Sequence, residues 1–301
     1  MLSRLIKRLM EIRENARNVL SMNKRNLSYI YPSNHRQHFP VADNKLLTKA
    51  LLKESNVTMP RTLATYDSFY ELNSLADDLA RHGDFVIKPA RGSGGGGIIV
   101  FIDRQQSHWI TPGGKRFTLD DIKKHITDII FGIYSFGLND VAIIEQRITQ
   151  HPGITRLSPY GLADLRLITY RHHPILCMAR IPTVASDGKA NLHQGAVGLG
   201  IDMDTGITRH AILQEKDITH HPDTGKPLLE QQIPYWSRVI EMSHTAAGRA
   251  PLKYLGIDIS ISDNGPVLLE INVRPGLQIQ NANQLGMRGL LEAVREEENR
   301  T

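Results

Sequence analysis

A hairpin pattern over residues 256–273 constrains the fold of this chain more than any other feature. Large apolar side chains occupy the odd-numbered positions on both sides of a turn at residues 263–266, and this two-residue period is typical of half-buried β-strands. The even-numbered positions carry Asp258, Ser260, Ser262, Leu268, Glu270 and Asn272. Facing residues of an antiparallel pair lie on one side of the sheet, so the pattern needs an odd-length loop or a bulge. A three-residue loop that pairs Ser262 with Pro266 would set Asp258 opposite Glu270.

Two directly opposed carboxylates repel each other unless a bound cation compensates their charge. Asp258, Glu270 and the nearby Asn272 offer the hard oxygen donors that Mg²⁺ prefers, and water and phosphate oxygens would complete its coordination. The hairpin therefore predicts a magnesium site at these three residues. The alternative is the exposed polar face of an edge hairpin.

A run of glycines over residues 92–97 is the second informative motif. Lys88 and Pro89 end a short apolar strand before it, and a β-branched strand follows it at residues 98–102. A dinucleotide-binding loop would open a helix and a Walker loop would close with Gly-Lys-Ser/Thr, so both are excluded. A glycine-rich loop between antiparallel strands instead brings backbone N–H groups close to phosphate oxygens, with Lys88 as an added positive charge. The alternative is a flexible surface hairpin with a solvated lysine.

The remaining patterns predict an α+β fold with hairpins and no internal repeat. We expect helices at residues 43–52, 67–82, 119–130 and 235–247. Strands are expected at residues 84–89, 98–102, 141–144, 165–170, 175–181, 257–262 and 267–273. Strands and helices do not alternate regularly, which excludes a doubly wound parallel sheet.

The net charge of +5 comes from the amino-terminal segment, since residues 1–36 hold eight basic residues against two glutamates. A nearly neutral body argues against nucleic-acid binding, which usually needs a basic face on the folded domain. No stretch reaches the roughly 18 apolar residues of a membrane span, so no integral span is expected. Cys177 is the one cysteine and cannot form an internal disulfide, so we expect a core position for it and a cytoplasmic protein.

Apolar residues at steps of three and four over residues 2–19 predict an amphipathic amino-terminal helix. Interrupting charges exclude a secretory signal peptide. We expect residues 1–24 to dock on the body, on a second copy or on a partner. The alternative is peripheral association with a membrane surface.

These motifs, taken in order from Asp43 to Gly276, resemble the ATP-grasp superfamily. Within it the chain is most similar to carboxylate-amine ligases of the glutathione synthetase and RimK branch described as alpha-L-glutamate ligase-like. The resemblance implies an α+β fold of two lobes whose antiparallel sheets grip a nucleotide. It divides the chain into an amino-terminal extension at residues 1–42, a small lobe at 43–144 and a carboxyl-terminal lobe with the metal site at 145–301.

The resemblance also assigns roles to single residues. ATP would be bound by Lys45, Lys88, Gly92, Ser93, Gly94, Gly95, Gly96, Glu145, Gln146 and Ile148. Catalysis is assigned to Arg166, Arg180 and Asn191, substrate binding to Lys189, His193 and Arg274, and metal binding to Asp258, Glu270 and Asn272. His193 can equally be a solvated side chain, and Arg274 can pair with a substrate carboxylate or brace the metal loop.

The implied reaction is an ATP-dependent ligation that needs two Mg²⁺ ions, with Mn²⁺ as a substitute. A small-molecule or peptide carboxylate forms an acyl phosphate, which an amino-acid amine such as that of glutamate converts to an amide. RimK-type ligases carry a full domain ahead of the grasp, whereas about 42 residues precede it here, so we expect a partner or second subunit to complete the amine site. An ATP-grasp kinase and a noncatalytic nucleotide-binding adaptor are the alternatives.

Overall fold

The structure is a computed structural model that describes residues 17–92, 94–298 and 300. Ser93 and nearly all of the helix expected at residues 2–19 lie outside the described residues. The chain divides into two compact units. The larger unit comprises Met1–Ala42, Thr48–Thr58 and Gln150–Thr301, and the smaller unit comprises Asp43–Leu47 and Met59–Thr149.

The described α-helices are, in chain order, α1 (Met22–Arg25), α2 (Tyr31–Ser33), α3 (Phe39–Asp43), α4 (Lys45–Leu52), α5 (Leu75–Ala80), α6 (Leu119–Ile130), α7 (Pro152–Thr155), α8 (Trp236–Arg249), α9 (Ile279–Asn283) and α10 (Arg288–Glu298). A π-helical turn at Asn26–Ile30 joins α1 to α2, and 3₁₀ turns lie at Arg36–His38, Tyr70–Ser74 and Leu192–Gln194. The strands are β1 (Thr62–Tyr66), β2 (Phe85–Pro89), β3 (Ile99–Phe101), β4 (Asp103–Gln105), β5 (His108–Ile110), β6 (Arg116–Phe117), β7 (Ala142–Glu145), β8 (Asp164–Tyr170), β9 (His173–Ile181), β10 (Val197–Ile201), β11 (Thr208–Leu213), β12 (Lys216–Asp217), β13 (Tyr254–Ser262) and β14 (Gly265–Asn272).

The smaller unit contains an antiparallel sheet in the order β1-β7-β2-β3 and a second sheet of β4, β5 and β6. The predicted helix at residues 119–130 is confirmed as α6. It begins at Thr118, whose side chain forms a capping box with Asp121. Ile122, Ile126 and Ile129 recur at steps of four and three and are fully buried in the core of this unit.

The predicted helix at residues 67–82 is wrong in extent, because a 3₁₀ turn at Tyr70–Ser74 precedes the short helix α5. The Ser74 hydroxyl donates to the Glu71 carbonyl, and the Leu75 N–H donates to Leu72, three residues back. A serine side chain that binds a nearby carbonyl competes with the regular α-helical bond. The α-helix therefore begins only at Leu75.

The larger unit is built on an antiparallel sheet in the order β12-β11-β10-β9-β8-β13-β14. Strand β13 lies between β8 and β14, which places Asp258 opposite Arg166 on one side and opposite Glu270 on the other. Cys177 lies in β9 and is fully buried, and burial raises the pKa of its thiol. This strand order brings together side chains that are far apart in the sequence.

In the hairpin of β13 and β14, one expectation is confirmed and two are wrong. Asp258 pairs with Glu270 as expected, but Ser262 pairs with Gly265 across a two-residue loop, so the three-residue loop is wrong. A bulge between Asp258 and Ile259 restores the register. Leu268, expected on the polar face, is fully buried because the bulge lies between it and Glu270.

The amino-terminal segment forms one helical run through α1, the π turn and α2, and it belongs to the larger unit. Buried Arg25 donates to the Pro275 carbonyl at 2.6 Å. The Gln280 side chain accepts from the Leu20 N–H and donates to its carbonyl. Among the described residues, no helix is both long and apolar enough to cross a membrane.

Candidate functional site

An acid–arginine cluster of Asp164, Arg166, Arg180 and Asp258 lies on strands β8, β9 and β13. Arg166 Nε and Nη2 each donate to one oxygen of Asp258 at 2.5 Å. Arg180 Nε and Nη2 donate to Asp164 at 2.5 and 2.6 Å, and Nη2 also donates to Asp258 at 2.7 Å. Arg180 therefore bridges the two carboxylates.

Burial and charge act in opposite directions on these groups. Burial alone would raise the pKa of Asp258, but Arg166 and Arg180 outweigh it and hold that pKa well below its usual range. At Asp164 burial dominates over Arg180, and with the Asp258 charge nearby it raises the pKa to about 6. Burial would lower the pKa of Arg180, yet the two carboxylates raise it above its ordinary value. Asp258 and Arg180 are therefore ionised at neutral pH.

Glu270 and Asn272 on β14 adjoin this cluster. Asn272 Nδ2 lies 3.4 Å from both Asp258 Oδ2 and Glu270 Oε1. The three predicted metal residues are therefore brought together at one place on the sheet. With three carboxylates and two arginines, the group carries a formal net charge of −1.

The donor chemistry of Asp258, Glu270 and Asn272 fits a hard divalent cation. Carboxylate and carboxamide oxygens are the ligands that Mg²⁺ prefers in proteins. Asn272 would need to turn its amide so that Oδ1 rather than Nδ2 faces the carboxylates. Across the described ranges, no group of three or more His, Cys, Asp or Glu side chains is arranged to hold a metal ion. The predicted set differs from such a group because its third member is an amide.

Four of the predicted ATP-binding residues form two pairs in the smaller unit. Lys45 Nζ donates to the Gly92 carbonyl at 2.9 Å. Lys88 Nζ lies 2.6 Å from Glu145 Oε2, and both side chains are buried. These pairs place two cationic groups in the unit that carries the glycine-rich loop.

Gln146 and Ile148, the other two predicted ATP-binding residues of this segment, are less buried than Glu145. The Gln146 N–H donates to the Arg61 carbonyl, and its side chain is exposed. Ile148 is half-buried. The backbone of this segment continues from β7.

The glycine run is confirmed as a loop between antiparallel strands β2 and β3. Gly94, Gly95 and Gly97 have φ angles of 63°, 80° and 75°, which side chains rarely adopt. A Cβ at Gly92 would lie 2.1 Å from the Pro89 ring. Gly96 is exposed. This backbone path therefore requires glycine at several positions.

Asn191, which the resemblance assigns to catalysis, and the three residues assigned to substrate binding are placed differently. The Asn191 side chain accepts from the His193 N–H at 3.0 Å and caps the 3₁₀ turn that follows it. His193 is exposed, and exposed Lys189 lies 3.6 Å from Asp187. The Arg274 guanidinium lies over the Phe39 ring at 5.4 Å. Within the described residues, these contacts do not include the acid–arginine cluster.

Asp164 lies in the acid–arginine cluster, although the family resemblance assigned no role to it. Its carboxylate fixes Arg180, which in turn contacts Asp258. The spacing Asp-x-Arg on one strand places Asp164 and Arg166 on the same face, and this signal could have identified it.

Comparison with known proteins gives one family match. The model of a family described as sugar-transfer associated ATP-grasp matches residues 24–296. No curated protein matches the chain at a significant level.

Several solved structures resemble the chain at low identity. The ATP-grasp ligase PsnB complexed with minimal precursor is 15% identical, with a TM-score of 0.46 and coverage of 88% of this chain and 63% of PsnB. The D-alanine–D-alanine ligase from Bacillus anthracis complexed with ATP is 14% identical, with a TM-score of 0.47 and coverage of 86% and 66%. A RimK domain ATP-grasp protein from Sphaerobacter thermophilus is 10% identical, with a TM-score of 0.48 and coverage of 87% and 70%. The chain thus spans less than two thirds of the length of PsnB.

Proposed function

The chain belongs to the sugar-transfer associated ATP-grasp family, and from this membership we propose that it is an ATP- and magnesium-dependent ligase that joins a carboxylate to an amine. One observation carries the proposal: the three predicted metal donors lie next to two arginines. The donors are Asp258, Glu270 and Asn272, and the arginines are Arg166 and Arg180. Phosphoryl transfer needs little covalent help from a protein, but it needs positive charge near the phosphate oxygens.

One nitrogen of each arginine takes no part in the ion pairs described above. Arg166 and Arg180 use Nε and Nη2 in their ion pairs, so Nη1 of each lies outside those pairs. A guanidinium that is already fixed by two bonds is oriented before the substrate arrives, which lowers the cost of reaching the transition state. We assign both arginines to the transferred phosphoryl group.

We assign binding of the nucleotide to residues of the smaller unit. Lys45 and Lys88 supply charge for the phosphates, and the loop of Gly92 and Gly94–Gly96 supplies backbone N–H groups. The segment Glu145–Ile148 is assigned to the adenosine by the family resemblance. Asp258, Glu270 and Asn272 would hold Mg²⁺, which when bound neutralises phosphate oxygens as charge grows on them.

The proposed reaction has two steps. An oxygen of the substrate carboxylate bonds to the γ-phosphorus of ATP, the bond from that phosphorus to the β,γ-bridging oxygen breaks, and ADP leaves. The amine nitrogen then bonds to the acyl carbon, the carbon–oxygen bond to phosphate breaks, inorganic phosphate leaves, and a proton passes from nitrogen to solvent. Neither step requires a nucleophilic side chain, in keeping with the buried position of Cys177.

The class of substrate is proposed from exposed side chains of the larger unit and from the family resemblance. Exposed Lys189, His193 and Arg274 are candidates for binding a carboxylate substrate, and Asn191 fixes the turn that presents His193. An amino acid such as glutamate is the amine that the resemblance favours.

The purified protein should be screened for ADP formation with ATP, Mg²⁺, single amino acids and acidic peptides. We expect ADP to form only when a carboxylate and an amine are both present, and mass spectrometry should find an amide product. A product that carries an added phosphoryl group and no new amide would identify a kinase instead. Nucleotide binding without turnover of any pair would favour an adaptor.

A further inference from the structure

The loop at residues 131–141, between α6 and β7, reaches the first end of the glycine-rich loop. Asp140 is buried, and both of its carboxylate oxygens accept the Arg91 N–H, at 3.1 and 3.0 Å. The Ser135 hydroxyl donates to the same carboxylate, and the Val141 N–H donates to it at 2.8 Å. Arg91 directly precedes Gly92, so Asp140 fixes the backbone where the glycine-rich loop begins.

The other end of the glycine-rich loop is held from α6 and from the same connecting loop. His125 is buried, and its Nε2 donates to the Gly97 carbonyl at 2.9 Å. Because a carbonyl only accepts, Nε2 must carry the proton, and Nδ1 then accepts from the Tyr134 hydroxyl at 3.5 Å. The Tyr134 ring packs so closely on Gly97 that a Cβ there would lie 2.7 Å from ring carbons.

Backbone hydrogen bonds fix the conformation of the connecting loop, residues 131–141. The Gly137 N–H donates to the Gly132 carbonyl at 3.0 Å, and the Leu138 N–H donates to the Ser135 carbonyl at 3.1 Å. A Cβ at Gly132 would lie 2.1 Å from the Leu138 carbonyl oxygen. The side chains that touch both ends of the glycine-rich loop are therefore held in place by their own segment.

We propose that Asp140 and His125 are positioning residues that hold the two ends of the glycine-rich loop in place for phosphate binding. The proposal rests on the proposed function only for the identity of the ligand. A run of glycines loses much conformational freedom when it is ordered. Fixing both ends beforehand reduces the freedom that remains to be lost when the phosphates bind. The gain should appear as affinity for ATP rather than as a faster chemical step.

Three variants and one control test this role. His125→Phe removes the donor to Gly97, whereas His125→Gln keeps an N–H that can reach the same carbonyl. Asp140→Asn leaves a single oxygen to accept from Arg91. His108→Phe is the matched control, because His108 lies in β5 and its ring contacts Ser107 rather than the glycine-rich loop.

The first measurement is amide hydrogen exchange in the nucleotide-free protein at Arg91, whose N–H donates to Asp140, and at Ile98, whose N–H donates to the Gly95 carbonyl. We expect exchange about tenfold or more faster in His125→Phe and Asp140→Asn, and close to the wild-type rate in His125→Gln and His108→Phe. Exchange in β2 and β7 should stay slow, which shows that the smaller unit remains folded. Unchanged exchange in both His125→Phe and Asp140→Asn would overturn the proposal, as would a Gln variant as fast as the Phe variant.

The second measurement separates KM for ATP from kcat. In His125→Phe we expect KM to rise about tenfold while kcat stays within about twofold, and His125→Gln should restore KM. A fall in kcat at unchanged KM would contradict a positioning role in ATP binding. Because the exchange measurement needs no catalysis, a wild-type protein without ligase activity would refute the proposed function and leave the test of the positioning residues intact.

Discussion

Asp258 and Glu270 lie directly opposite each other on β13 and β14. A two-residue loop alone would offset them, and the bulge after Asp258 brings them back into register. Arg166 approaches Asp258 from the neighbouring strand β8, so the two carboxylates are not equivalent. Asp258 is fixed by arginines, while half-buried Glu270 keeps the more accessible position.

Glu270→Gln should abolish ADP formation while preserving the fold. The substitution keeps the size of the side chain but removes a negative charge from the proposed metal donors, so we expect a loss of about 100-fold or more in rate. The free energy of unfolding should change by less than about 1 kcal/mol. Steady-state assays across a Mg²⁺ titration check this. Glu241→Gln, at an exposed position of α8, is the control, and equal rates in the two variants would refute the metal assignment.

Arg180→Met should destabilise the larger unit strongly. Arg180 bridges Asp164 and Asp258, and removing one partner of a buried ion pair costs about 3–5 kcal/mol because the remaining charge is uncompensated. Arg209→Met is the control, since Arg209 pairs with Glu230 at 2.9 Å on the surface, where such a pair contributes at most about 1 kcal/mol. Urea unfolding measures both variants. Similar losses in the two would show that the cluster has no special role in stability.

The pairing of Asp258 with Glu270 could be predicted from sequence, because the alternation of apolar and polar residues and the pairing of two strands in a hairpin are local features. The arginine partners of Asp258 could not, because Arg166 lies 92 residues earlier in the chain and meets it only through the order of strands in the sheet. Local alternation carries no information on which strands become neighbours. The proximity of the three proposed metal donors was therefore predictable, but the pairing of Asp258 with two arginines was not.

Strand β10 could not be predicted from the local β-strand propensity of its residues. Glycines at positions 198 and 200 weaken the strand signal of Val197–Ile201, and the sequence patterns did not predict it. In the structure a Cβ at Gly200 would lie 2.3 Å from the Ala282 carbonyl oxygen of α9. The glycines allow a helix to pack closely on the sheet, and that tertiary requirement is invisible in a local pattern.

Lys88→Met should weaken both stability and ATP binding, and a second substitution separates the two effects. The single variant leaves the buried Glu145 carboxylate without the ammonium group now 2.6 Å away, which should cost about 3–5 kcal/mol. Lys88→Met combined with Glu145→Gln should regain most of that stability but not the affinity for ATP. Urea unfolding and calorimetric titration with ATP test this. A double variant that binds ATP as tightly as the wild type would restrict Lys88 to a structural role.

Acidification should destabilise the smaller unit through His125. Burial lowers the pKa of His125 below its ordinary value of 6.5, although its bond to Gly97 opposes the shift. Below pH 6.5 the unfolded chain takes up a proton that the native state does not hold, so the free energy of unfolding falls as the pH drops toward the folded pKa. His125→Gln should lack this component.

The fluorescence of Trp109 reports on the smaller unit when Trp236, in the larger unit, is replaced by Phe. In this background the decrease in Tm between about pH 7.5 and pH 5.5 should be smaller in His125→Gln than in the parent protein. A pH dependence identical in the parent protein and His125→Gln would show that His125 gains its proton equally in the folded and unfolded chains.

Asn34→Ala should release the amino-terminal segment from the sheet that carries Asp258. Asn34 Nδ2 donates to the Tyr254 carbonyl at 2.7 Å, and Oδ1 accepts the N–H groups of Lys253 and Tyr254 at 2.8 and 3.0 Å. Alanine leaves these backbone groups without their partner, and the expected loss is about 3 kcal/mol. Asn23→Ala on the exposed face of α1 should change stability by no more than about 0.5 kcal/mol. Urea unfolding followed by Trp236 fluorescence in a Trp109→Phe background compares the two variants, and equal midpoints would mean that Asn34 does not anchor the segment to β13.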